Sequence, residues 1–229
     1  MLRIRTLQLA PLFIVSTAAL LAQSTANTIQ ASGNGIIHVV PDEAQLTVSV
    51  ITQGTTAQDA GQQNTAVTTA VIAALKSVIG NAGTVQTIGY SVSPRYGVPP
   101  NNSNTIIGYT AINTVQVTTT NLAVIGTLID TANQAGASNV SGISFGLQDP
   151  EPAKQQALTK ASQIAMAHAS AIAAGFGRKA GAVVSALEGY SYAPVVAGDA
   201  GIAASAPTTP VQSGTVTVTA TVTISVQIQ

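Results

Sequence analysis

Residues 215–229 read TVTVTATVTISVQIQ. Val216, Val218, Ala220, Val222, Ile224, Val226 and Ile228 take every second position, with Thr, Ser or Gln between them. Successive side chains of a strand point to opposite faces, so this stretch predicts a strand with one aliphatic and one polar face. A one-residue slip would turn every aliphatic to solvent, so the register is strongly specified. The strand is far longer than the usual ~5–6 residues. It needs a long partner, or it extends past its own domain.

Working back from this ribbon, residues 180–192 form a further strand. Residues 193–213, rich in Ala, Pro and Gly, form a flexible insertion between the two. Before them lies the best signalled helix. Asp149 stands at its N-cap, Pro150 at its first position and Glu151 in its first turn, and it ends near Gly175 or Gly177. Leu158, Ala161, Ala165, Ile172 and Phe176 fall on one side of it, and Gln155, Thr159, Gln163 and Ser170 on the other. Residues 140–147 make a short strand. Residues 122–134 make a helix with Asn121 as N-cap and Gly136 as its stop.

The first half follows a similar order. Residues 29–40 form a strand, Pro41-Asp42-Glu43 a turn, and residues 44–53 a second strand. Ala60, Val67, Val71, Leu75 and Val78 recur at helical spacing over residues 57–79, which Gly80 ends. Strands at 84–93 and 105–119 flank a Pro- and Asn-rich loop over 94–104. Strand, helix, strand, Pro-containing loop and long strand thus occur twice, over about 44–119 and 138–229. Tyr90-Ser91-Val92-Ser93-Pro94 matches Tyr190-Ser191-Tyr192-Ala193-Pro194 in position. The expected fold class is α+β: duplicated βαββ-like units in a largely antiparallel sheet, with helices packed on one face.

The first 26 residues read as a secretory signal. Arg3 and Arg5 form the basic start, 7–22 the apolar stretch, and Ser24-Thr25-Ala26 offers small residues for cleavage after Ala26. The alternative, a transmembrane anchor, is weakened by Gln8, Pro11, Ser16 and Thr17, and by a run shorter than the ~20 residues a span needs. No later segment reads as a span. Losing Arg3 and Arg5 from eight basic residues leaves six against eight acidic, a net charge of −2 on residues 27–229. Charged residues are 7% of the chain, so there is no basic surface for nucleic acid. With no cysteine, disulfides and thiol chemistry are excluded, and stability must come from packing.

Reactive constellations are sparse. His38 and His168 are the only histidines and share no HxH or HxxxH spacing, so both read as packing or interface residues. Asp42 belongs to a turn, Asp149 to a cap, Asp130 to a helix and Asp199 to the insertion; Asp42-Glu43 is the only adjacent acidic pair. The GxSxG string Gly142-Ile143-Ser144-Phe145-Gly146 lies inside the short strand over 140–147 and not at a strand-to-helix turn, so it is not read as a nucleophile elbow. Gly33-x-Gly35 lacks the third glycine and the following helix of a dinucleotide site. Arg178-Lys179 suits the negative end of a helix better than an anion site. A barrel of the outer-membrane kind is disfavoured by three helices, three Phe and no Trp. No catalytic, cofactor-binding or metal-binding residue is assigned.

Several segments together resemble the SIMPL (DUF541) family. IQASGNGIIHVVPDEA at residues 29–44 is similar to its Gly-x-Gly and Pro-Asp-x-Ala entry, and Asn64 falls where that family has Asn. YSVSPRY at 90–96, Gly108-Tyr109-Thr110-Ala111, Ala135-Gly136-Ala137 before Val140-Ser141-Gly142-Ile143, and Ala157-Leu158 through Gly175-Phe176-Gly177-Arg178-Lys179 continue the likeness. It extends over about 29–229. The resemblance implies a bacterial periplasmic or cell-surface protein, often oligomeric, associated with stress tolerance or immunogenicity; eukaryotic relatives are signalling adaptors. It supplies no catalytic residues. The chain departs from the family in its scarcity of Lys, Glu and Arg, which argues against a charge-based partner site.

Two functional expectations follow. The first is an exported, non-enzymatic protein that self-assembles as a homo-oligomer through long strand edges and Ala-rich helix faces, since low charge removes the usual guards on sheet edges. The alternative is a periplasmic module for a peptide or small-ligand partner, with Tyr90, Tyr96, Tyr109, Tyr190 and Tyr192 as aromatic walls.

Overall fold

In a computed structural model of the chain, the structure describes residues 27–97, 105–196 and 209–229. The expected signal peptide and most of the 193–213 insertion lie outside these residues. The elements run β1 (Thr28–Val39), β2 (Glu43–Gly54), α1 (Ala57–Ile79), β3 (Gly83–Tyr96) and β4 (Ile106–Thr119). A 3-10 turn (Leu122–Val124), α2 (Ile125–Gln134), β5 (Asn139–Gly146), α3 (Glu151–Gly175), β6 (Ala180–Ala193), β7 (Val195–Val196) and β8 (Val216–Ile228) follow.

The strands form two sheets, ordered β1-β8-β6 and β3-β4-β2-β5-β7, and every pairing is antiparallel. The α+β class is as expected. The long terminal ribbon β8 finds its partners in β1 and β6, each within one residue of its own length, and occupies the centre of its sheet. Val216, Val218, Ala220 and Val226 are buried, as the alternation requires. The order of β2, β4 and β3 beneath α1 resembles that of β1, β8 and β6 beneath α3. The leading strands differ. β5, which precedes α3 in the chain, lies beside β2, while β1 takes the place next to β8.

Each sheet has its own apolar cluster. Under α1 and α2, Leu46, Val48, Leu75, Val117, Leu128 and Phe145 are fully enclosed. Burial of each such side chain stabilises the fold by roughly 1.5–3 kcal/mol. Asn64 of α1 is also fully buried. Its amide donates to the Val50 and Ala111 carbonyls (2.9 and 3.2 Å), and its oxygen accepts from the Thr68 hydroxyl (3.3 Å). One side chain thereby ties the helix to two neighbouring strands. Thr56 caps α1 by accepting the Asp59 N–H (3.1 Å). Gly80 closes it at φ 54°, a left-handed conformation that favours glycine.

Under α3 the packing differs from the expected pattern. Ala153, Ala157, Ala161, Ala165, Ala169 and Ala173, spaced by four, form the buried row. Ala161 and Ala165 are buried as expected and half-buried Leu158 packs against the row, but Ile172 is 39% exposed and Phe176 74% exposed, so these two do not make the contact. The reason lies on β1. A Cβ on Gly33 would come within 2.2 Å of the Ala161 carbonyl oxygen, and one on Gly35 within 2.0 Å of the Ala157 oxygen. The helix backbone rests on the strand backbone, a separation that only Ala on one side and Gly on the other allow.

Other boundaries shift for local reasons. β3 runs on through Pro94 and Arg95 to Tyr96, residues expected in the loop, because an edge strand has an outer side on which a missing N–H costs nothing. The remainder of that loop, 98–104, lies outside the described residues. The helix expected at 122–134 begins as a 3-10 turn capped by Asn121, whose Oδ1 accepts the Ala123 N–H (3.2 Å). Pro150 rather than Asp149 occupies the cap position of α3, but Asp149 Oδ1 still accepts the Glu151 N–H (3.0 Å). Val195 and Val196, within the expected insertion, add a two-residue strand beside β5.

Candidate functional site

The titratable residues do not converge. His168 of α3 donates from Nδ1 to the Ser32 carbonyl of β1 (2.8 Å). His38 pairs with the Thr217 hydroxyl (3.2 Å), six residues further along β1, so roughly 20 Å separates the two positions. Asp42 Oδ1 accepts the Gln148 N–H (2.7 Å), Asp130 binds the Thr209 hydroxyl (2.7 Å), and Glu43 takes a long bond from Gln45 (3.3 Å). These are bonds that position backbone and neighbours. Asp199 lies outside the described residues. Arg178 and Lys179 follow α3, where the Arg178 N–H returns to the Ala173 carbonyl (2.9 Å) and the Lys179 backbone exchanges two bonds with Gln229. Among the described residues, no group of three or more His, Asp or Glu could hold a metal ion. No helix among them is long and apolar enough to cross a membrane.

The tyrosines are divided between the two sheets. Tyr90, Tyr96 and Tyr109 stand on β3 and β4, Tyr190 and Tyr192 on β6. Tyr192 is structural, its hydroxyl accepting the Leu147 N–H (2.9 Å). Lys154 lies 5.0 Å above the Tyr190 ring. Partial burial, with smaller effects from Glu151 and Tyr192, raises the Tyr190 phenol above its ordinary pKa. Two shallow clefts open to solvent, one along α3 (Pro152, Gln155, Thr159, Lys160, Gln163) and one beside Gln53, Asp59, Gln62 and Arg95. Tyrosine lines neither.

What the fold does present is strand edge. Among the described residues, β1, β6 and β3 each pair on one side only. Edges expose unpaired N–H and C=O groups and are templates for another strand. The three differ. On β1, Lys160 Nζ donates to the Ile36 carbonyl (3.1 Å) and His168 to the Ser32 carbonyl, so α3 side chains occupy that edge. Among the described residues β6 has no such cover: residues 182–191 are exposed on both faces, with Leu187 at 73% and Val184 at 54%. Glu188 is its only charge. Among the described residues β3 is similarly bare, with Ile88, Tyr90 and Tyr96 exposed and Arg95 as its one charge. Sequence reading assigned no role to Lys160 and treated His168 as a packing or interface residue. A lysine and a histidine eight residues apart on a helix give no signal until the strand beneath is known.

The family described as SIMPL, Protein of unknown function (DUF541), matches residues 29–226. The chain is 29% identical over 164 residues to the 26 kDa periplasmic immunogenic protein of Brucella melitensis, a match covering 70% of this chain and 66% of that protein. The match thus spans just under two thirds of the Brucella protein's length. Over 171 residues the chain is 29% identical to the uncharacterized protein YggE of Escherichia coli K12, covering 73% of this chain and 69% of YggE. Over 160 residues it is 29% identical to YggE of Edwardsiella ictaluri, covering 69% and 66%.

Proposed function

The chain belongs to the SIMPL family, and on that premise we propose that it is an exported, non-catalytic protein of the periplasm or cell surface that works by assembling with copies of itself. The observation that carries this reading is the bare edge of β6, a long strand exposed on both faces with Val184, Leu187 and Tyr190 at its surface. Uncovered edges of this kind are ordinarily shielded by charge, proline or a covering element. The periplasmic naming of the Brucella relatives supports the location. So does the signal-like start, with cleavage after Ala26 and a mature domain over 27–229. The two βαββ-like halves, about 44–119 and 138–229, are part of the same proposal as duplicated units.

Native mass and light scattering on the processed protein test it. A multimer at micromolar concentration is expected, and a strictly monomeric species sinks the reading. The intact mass of the same material reports the cleavage point. The family's association with stress tolerance extends to this chain as a proposal that survival of a deletion strain under stress would check. The alternative, a peptide- or small-ligand-binding module, draws less support, because the tyrosines are split between sheets and neither shallow cleft is lined by one.

A further inference from the structure

We propose that β6 is the surface through which two copies of this chain join, each β6 pairing antiparallel with the other about a two-fold axis at Gly189. The inference rests on the self-assembly reading and specifies its interface.

The choice of edge comes first. The sheet β1-β8-β6 has two ends, and the β1 end is occupied by Lys160 and His168. Growth at that end would require breaking both bonds. Among the described residues only the β6 end of this sheet is free, so association there closes into a six-stranded sheet capped on both sides instead of an open filament.

The register follows from hydrogen-bonding geometry. The Ser32 and Ile36 carbonyls of β1 point outward, since side chains reach them. Their partners on β8, Thr223 and Thr219, therefore direct their backbone groups toward β6. These pair with Leu187 and Ser191, so the intervening residues Ala186, Glu188, Tyr190 and Tyr192 turn their N–H and C=O groups to the open side. The ladder between β6 and β8 is irregular before Ser185 and continuous from Ser185 to Ala193. Gly189 is the midpoint of that regular stretch. An axis there pairs the whole of it with itself.

The charges agree with this axis. Glu188 comes to lie opposite Tyr190 of the second copy, on the face toward α3. The ring of Tyr190 carries Lys154 at 5.0 Å. The strand's only charge thus meets the cation beside its mate, which already lies 3.8 Å from Glu151 of its own helix, and does so twice by symmetry. A patch that holds both halves of its own complement is what a two-fold interface requires. An axis at Glu188 would instead set two carboxylates face to face. An axis at Leu187 would run the irregular segment before Ser185 against regular strand.

Cysteine scanning of the processed full chain tests the proposal, and the absence of native cysteine makes each variant clean. Gly189 on the axis would be a non-hydrogen-bonded pair with Cα atoms about 4.5 Å apart, inside the range a disulfide spans. A Cβ at Gly189 meets nothing closer than Thr221 at 3.9 Å, so Gly189→Cys is tolerated. Under mild oxidation, Gly189→Cys is expected to give a covalent dimer at least about tenfold faster than Leu187→Cys or, on the occupied edge, Asn34→Cys. A separate variant without thiols, Glu188→Lys, is expected to weaken the dimer about tenfold at low salt, with Lys154→Glu restoring it. If native mass shows an oligomer while Gly189→Cys stays reduced and Asn34→Cys or Ser91→Cys on β3 cross-links, β6 is not the interface though self-assembly stands. Faster cross-linking at Leu187→Cys overturns the axis. A monomer in every measurement overturns both the interface and the reading beneath it.

Discussion

Replacing Gly35 by Ala adds one carbon where α3 crosses β1. That Cβ would lie 2.0 Å from the Ala157 oxygen, 2.8 Å from the Ala161 nitrogen and 3.0 Å from the Ala157 carbonyl carbon. All three are backbone atoms, so no side chain can rotate away. Restoring an ordinary separation of about 3.5 Å means moving the helix off the strand by more than ~1 Å. The shift opens a gap along the alanine row over Val216, Val218 and Ala220. A radial gap of ~0.5–1 Å forfeits a quarter to a half of the contact energy of the atoms lining it. Overpacking costs about 1–3 kcal/mol where neighbours can yield, and here they cannot, so about 3 kcal/mol is expected. For a domain of this size that lowers Tm by roughly 6–12 °C. Thermal unfolding followed by circular dichroism at fixed protein concentration measures it. Gly189→Ala, whose Cβ has open space, is the control and should stay within about 0.5 kcal/mol of the parent. If Gly35→Ala melts alongside that control, backbone contact between helix and strand does not set the glycine requirement.

Three further outcomes follow. Asn64→Leu removes the donor serving the Val50 and Ala111 carbonyls and leaves the Thr68 hydroxyl unmatched, so denaturant titration should show a loss of about 2–3 kcal/mol; a change below ~0.5 kcal/mol would dismiss Asn64 as the tie between α1 and its sheet. Hydrogen bonds from Thr56 and then Thr55 hold the Asp59 carboxyl below its ordinary 3.8. A depressed carboxyl adds stability above the unfolded value that is lost as pH falls through the folded one, so the advantage of the parent over Asp59→Asn should shrink below pH 3.8; a difference independent of pH would contradict this. Removing Lys160 and His168 together by alanine substitution frees the outer carbonyls of β1, and scattering should report larger, concentration-dependent assemblies, whereas an unchanged size distribution would mean that these side chains guard nothing.

The contact between α3 and β1 also marks where sequence reading stopped. Gly33-x-Gly35 was visible as a motif, and the helix over 151–175 was visible from its caps. Their meeting was not, because the two lie more than a hundred residues apart. Hydrophobic patterning selects Leu158, Ile172 and Phe176 as the buried side, on the assumption that larger apolar groups lie inside. Close backbone approach keeps Ala161 and Ala165 of that side, adds Ala153, Ala157, Ala169 and Ala173, and leaves Ile172 and Phe176 outside. Asn64 was noted for its position alone; its role appears only when the Val50 and Ala111 carbonyls stand beside it. The edge of β6 was half legible. Its scarcity of charge is a property of composition, but its exposure depends on α3 lying over β1 and β8 and leaving β6 uncovered.

The chain by itself determined the elements: a period of two in β8, helical spacing in α1, the capping residue Asn121, and the absence of cysteine. Those features act through neighbours a few residues away, and a local pattern can be read locally. Only the tertiary structure decided that β1 and not β5 would flank β8, that glycines would carry the helix, and that one sheet edge would be occupied while another stayed bare. Strand pairing is a competition between distant segments of nearly equal hydrogen-bonding capacity, and shape settles it once the helices have found the faces on which they fit.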